Sequence, residues 1–119
     1  GDGPVELLDL ALDRDRVSIG DAVTFELTVA VPPGAAPVDA VIDYRVHYVG
    51  ARGSPKAPKV FKLTRRRLLP GRPVTVTRRH VFEHVSIRKI HPGSHRIDVQ
   101  VNGRVLGGVD VEVCHGSSR

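Results

Sequence analysis

Val23-Thr24-Phe25-Glu26-Leu27-Thr28-Val29-Ala30-Val31 places Val23, Phe25, Leu27, Val29 and Val31 at alternate positions, with Thr24, Glu26, Thr28 and Ala30 between them. A period of two is the pattern of a strand with one buried and one wet face. The same pattern recurs on both sides. Leu8, Leu10 and Leu12 alternate with Asp9 and Ala11 and predict an earlier strand, followed by a tight turn at Val17 to Asp21 with Gly20 at positive φ. Pro32-Pro33-Gly34 stops the Val23 strand and opens a loop over 32–38. Ile42, Tyr44, Val46 and Tyr48 then point inward, with Asp43, Arg45 and His47 outward.

The second half follows suit. The Gly-, Pro- and Ala-rich segment 50–58 reads as an exposed connection. Phe61 and Leu63 mark a short fourth strand, and Leu69-Pro70-Gly71-Arg72 has the Pro-Gly pair of a type II turn. The fifth strand, Pro73 to Phe82, puts Val74, Val76 and Phe82 on one face together with Arg78 and His80. After a loop from Glu83 to Gly93, His95, Ile97, Val99 and Val101 face inward. Asn102-Gly103 is a hairpin turn, since both positions favour φ > 0. Val105 to Val113 forms the last strand, with a bulge at Gly107-Gly108. The predicted fold is all-β: an immunoglobulin-like antiparallel β-sandwich of about seven strands, forming a single domain over 1–119. An up-and-down barrel is the alternative. With one cysteine and no tryptophan, the core is not of the antibody type.

Several classes are excluded or disfavoured. No run approaches the roughly 18 apolar residues of a membrane span. The opening GDGPVELL has neither a basic nor an apolar leader segment, and the lone Cys114 leaves no internal disulfide, so a cytoplasmic monomer with no membrane association is expected. His80, His84, His91 and His95 fall close together, but residues four apart in a strand are about 13 Å apart, and no cysteine pair joins them. No metal and no cofactor is expected. Ser86 with His84 and Cys114 with His115 are bare proximities, so no catalytic residue is assigned and the domain alone is expected not to be an enzyme. Four of the five aromatics, Tyr44, Tyr48, Phe61 and Phe82, are expected in the core rather than on a base-stacking surface.

Charge is the main functional signal. From Arg52 to Arg96 there are 13 Lys or Arg residues and one acid, Glu83, whereas the first fifty residues carry nine acids and three bases. Such segregation favours a polyanionic partner. A basic face is expected from Lys62, Arg66 and Arg79, flanked by Arg52 and Lys56 in one loop and by Arg88 and Lys89 in another. Direct pairing of the fourth and fifth strands across Pro70-Gly71 would set Lys62 opposite Arg79, where like charges repel unless an anion bridges them.

Within this region Lys59-Val60-Phe61-Lys62-Leu63, Leu69-Pro70-Gly71, His80-Val81-Phe82, Ser86-Ile87-Arg88, Pro92-Gly93-Ser94-His95-Arg96 and Gln100-Val101-Asn102-Gly103 occur in that order. The chain thereby resembles the C-terminal immunoglobulin-like domain of some bacterial DNA alkylation repair proteins, the HEAT-like-repeat alkylpurine DNA glycosylases of the AlkC type. The resemblance implies an accessory domain that contacts the phosphate backbone of double-stranded DNA beside an N-terminal helical-repeat domain of the same polypeptide. It also implies binding roles for Lys59, Lys62, Arg88 and Arg96. The lesion pocket and catalytic acid of that family belong to the repeats. The competing expectation is a structural or protein-interaction sandwich appended to a larger enzyme, docking through its acidic first half. A carbohydrate-binding or cell-surface sandwich is third.

Overall fold

The fold is described from a computed structural model, which covers residues 4–85 and 89–116. Eight strands form two sheets: β1 (Glu6–Leu12), β2 (Arg16–Ser18), β3 (Ala22–Ala30), β4 (Val38–His47), β5 (Lys59–Leu68), β6 (Val74–Val81), β7 (Gly93–Val101) and β8 (Arg104–Cys114). One sheet has the order β1-β3-β6 and the other β2-β8-β7-β4-β5. The chain is an immunoglobulin-like β-sandwich, as its alternation predicted.

The core lies between the sheets and is built from the residues read as inward. Val23, Phe25, Leu27 and Val29 of β3 face Ile42, Tyr44 and Val46 of β4, Ile97 and Val99 of β7, and Val111 and Val113 of β8. Gly71 at φ 72 and the Arg72 N–H to Leu69 O bond of 3.1 Å bear out the type II turn. Asn102 and Gly103 at φ 50 and 82 bear out the hairpin turn.

Four expectations need correction. The segment read as a turn at Val17 begins as β2, which runs parallel to β8, so the sandwich is not wholly antiparallel. In β1 the register shifts between Leu7 and Asp9, so Leu7, Leu10 and Leu12 pack inward and Leu8 is 54% exposed. The fourth predicted strand is longer than its alternation suggested, at ten residues, because its second half continues past a bulge. Finally, β5 and β6 do not form a hairpin: β5 pairs with β4 and β6 with β3, so the turn at Pro70-Gly71 carries the chain from one sheet to the other. Lys62 therefore lies opposite Asp43, and Arg79 opposite Thr24.

The two histidines read as inward are both buried. His80 sits between two hydroxyls, Tyr44 at 2.9 Å from Nδ1 and Tyr48 at 3.1 Å from Nε2. In its neutral form an imidazole offers one donor and one acceptor, which would pair with one tyrosine donating and the other accepting. Burial raises the Tyr44 pKa, with Arg78 opposing. His95 does bond to backbone, donating Nδ1–H to Gly93 O at 3.1 Å. Its buried Nε2 has no hydrogen-bond partner among the described residues, and the ring lies edge-on to Tyr48 and Phe82. Burial, chiefly, pushes the His95 pKa below its ordinary 6.5.

Candidate nucleic-acid interface

Residues paired across a ladder share a face, so the register shows where each cation points. The β4–β5 register slips between Ile42 and Asp43, leaving Leu63 as the extra residue of a bulge. Before the bulge, Lys62 faces outward with Asp43. After it, Arg65 and Arg67 are outward, opposite Val41 and Asp39, while Arg66 falls on the inner side opposite Ala40 and is exposed at the sheet edge. The outward set on β5 is thus Lys62, Arg65 and Arg67. Arg66, rather than Arg65 or Arg67, was the expected outward member of this triplet. The signal was a change of parity, since Phe61 and Leu63 are inward at odd positions and Leu68 at an even one.

On this outer face two shallow depressions share Val41 and Arg65. One, of about 280 Å³, is lined by Asp39, Ala40, Val41 and Arg65 to Arg67. The other, of about 120 Å³, adds Asp43, Lys62, Leu63 and Thr64. Arg67 donates to Asp39 at 2.9 Å, but the two side chains are 61% and 81% exposed, and such a pair contributes little.

Arg79 faces outward from the three-stranded sheet, on the opposite layer from Lys62. The expected single face of Lys62, Arg66 and Arg79 is therefore not formed. Instead the cations wrap around one side of the sandwich, where β5 and β6 are the edge strands of opposite sheets. Arg78 spans that edge: its guanidinium donates to Lys62 O at 3.5 Å and to Leu63 O at 3.3 Å. The acids of β1, Glu6 and Asp9, lie on the opposite edge of their sheet.

The other named residues are spread along the same molecule. Arg52, at φ 60 in a short 3-10 turn over Ala51–Gly53, and Lys56 are exposed in the loop after β4. Lys59 begins β5, with Nζ 6.0 Å from the Phe61 ring centre. Lys89 is exposed beside the buried Ile90, and Arg88 lies outside the described residues.

Arg96 faces outward on β7 but is already engaged. Its Nε donates to Asp98 at 2.9 Å and its Nη1 to Asp110 at 3.1 Å. Asp98 also receives Arg45 Nη2 at 3.0 Å and His47 Nε2 at 2.5 Å. Burial alone would raise the Asp98 pKa, but the hydrogen bonds from His47, Arg45 and Arg96 outweigh it and hold the carboxyl below its ordinary 3.8. This cluster, Arg45, His47, Arg96 and Asp98, was not visible as a unit in the sequence, because its members come from two strands fifty residues apart.

Among the described residues no group of three His, Cys, Asp or Glu side chains could hold a metal ion. No helix there is long and apolar enough to cross a membrane. Cys114 accepts a contact from Arg16 Nη1 at 3.1 Å.

These features define an immunoglobulin-like sandwich with one basic edge. Its family is shown by residues 6–115, which match the description "Uncharacterised protein YhaZ, C-terminal Ig-like domain"; the chain belongs to that family. No curated protein matches it. Among solved structures it is similar to Pseudomonas fluorescens alkylpurine DNA glycosylase AlkC bound to DNA containing an abasic site analog, with 29% identity and a TM-score of 0.88. That match covers 96% of this chain and 31% of AlkC, so the chain spans about a third of that protein. It is also similar to part of Listeria innocua β-glucosidase, in complex with isofagomine, with 19% identity, a TM-score of 0.70, and 92% and 16% of the two chains covered. The CARDB domain of the Pyrococcus furiosus PF1109 protein, in complex with di-metal ions, has 18% identity and a TM-score of 0.56 over 94% of each chain. These last two likenesses show the fold alone.

Proposed function

We propose that this chain is a non-catalytic, DNA-binding accessory domain of an alkylpurine DNA glycosylase, acting beside a helical-repeat domain of the same polypeptide. The observation that carries the reading is the likeness to AlkC across nearly the whole chain, in a protein whose structure holds DNA. The basic edge supplies the physical means. Lys62, Arg65, Arg66 and Arg67 on β5, with Arg79 on β6, are exposed at neighbouring strand edges. Lys56, Lys59 and Lys89 extend the charge, as do Arg52 and Arg96. Contacts of this kind grip the phosphate backbone and carry little sequence information.

The test is fluorescence anisotropy of a labelled duplex titrated with the 119-residue chain at several salt concentrations. With about five phosphates engaged, log K falls against log salt with a slope of about −4 to −5. A flat response overturns the reading.

A further inference from the structure

A third concave feature lies at the far end of the five-stranded sheet from Arg65. It is a cleft of about 160 Å³ lined by His47, Tyr48, Val49, Pro55, Lys56, Ser94, His95, Arg96 and Asp110. The loop that forms one wall is held by its own bonds: a Val49–Pro55 bridge, Gly53 N–H to Gly50 O, and Ser54 N–H and Oγ–H to Ala51 O. Gly93, at φ 140, lets that wall close down on the start of β7, since a Cβ there would stand 3.1 Å from Val49 Cγ2. Lys56 is thereby carried to the cleft on an ordered support.

The polar groups in the cleft come from four segments: β4, the loop after it, β7 and β8. Lys56 is exposed and makes no ion pair among the described residues. Arg96 has Nε and Nη1 fixed on Asp98 and Asp110, and its Nη2 makes no hydrogen bond among the described residues. Holding a guanidinium in place beforehand lowers the ordering cost of a ligand contact. Ser94 adds an exposed hydroxyl. Asp110 is the one acid of the wall, and its carboxylate is already turned to Arg96. His47 stands beside it with Nε2 committed to Asp98.

We infer that this cleft binds a phosphate group, through the Lys56 ammonium, the free Arg96 Nη2 and the Ser94 hydroxyl. The group is an oxyanion of phosphate charge and shape, as free phosphate or as a backbone phosphate of duplex DNA. Only the second source rests on the proposed DNA binding.

The experiment follows backbone amide shifts of the ¹⁵N-labelled chain. Inorganic phosphate is added at constant ionic strength against chloride, and a short duplex is added separately. Saturable shifts of the Lys56, Ser94 and Arg96 amides are expected with phosphate, and Lys56→Ala should weaken that binding about tenfold, as loss of a charged donor does. The same amides should move with the duplex. If neither phosphate nor duplex moves them saturably, the inference fails. If the duplex shifts only amides of β5 and β6, the inference fails for DNA while the DNA-binding function stands. If phosphate shifts the cleft amides and no duplex binds, the phosphate site stands and the proposed function falls.

Discussion

Gly108 sits opposite Asp98 in the β7–β8 ladder, and the absence of a side chain is what lets the Asp98 carboxylate lie over it. A Cβ at this position would be 2.2 Å from Asp98 Oδ1 and 2.8 Å from Ile97 O. Backbone cannot give way as a flexible side chain can, so Gly108→Ala should cost about 1–3 kcal/mol, read from urea unfolding. His95 gives a pH dependence. Its native pKa lies below 6.5, so the unfolded chain takes up the proton first. Stability from this group is complete above the unfolded value and declines as pH falls through about 6.5 towards the lower native value. Urea midpoints between pH 7.5 and 5 should fall, and fall less in His95→Leu. Asp98 acts in a separate window: its native pKa is below 3.8, so its contribution is lost only as pH drops from there through the native value.

At the scale of the element, the bulge at Leu63 decides which cations of β5 share a face. Lys62→Ala, Arg65→Ala and Arg67→Ala should each weaken duplex binding and reduce the salt slope by about one if each side chain meets a phosphate. Arg67 should have the smallest effect of the three, since Asp39 already takes part of its charge. Anisotropy titrations at matched salt measure this. Arg78 has a different task. It covers two carbonyls on the open edge of β5, where unpaired backbone would invite another strand. Arg78→Ala should lower stability by about 1 kcal/mol in thermal unfolding and increase self-association in sedimentation. The inward direction of Arg78 was legible in the parity of β6; its bond to another sheet was not, because nothing in an alternating pattern says which edges will be neighbours.

Across the whole molecule, the linear charge asymmetry becomes a lateral one. The sandwich measures 54 × 25 × 20 Å, and its basic edge strands, β5 and β6, stand across it from β1 and β2. Folding also brings Asp39 and Asp43 of the acidic first half beside the basic β5, so the outer face is less positive than the run of residues suggests. Binding by this chain alone should therefore be weak and nonspecific, with a Kd of about 10⁻⁴ to 10⁻⁶ M near physiological salt. Competition with an unrelated duplex of equal length checks this: the two should displace each other equally.

The strands of β3, β4, β7 and β8, the two glycine turns and the inward histidines were determined by the sequence itself, because burial on one face of a pleated strand leaves a period of two that needs no partner to be read. The bulges at Leu63 and Leu8, the parallel β2, the separation of β5 from β6 and the meeting of Arg45, His47 and Arg96 on Asp98 were decided only by tertiary structure. Each depends on which strand lies beside which, and hydrogen-bond pairing between distant segments has no period along the chain.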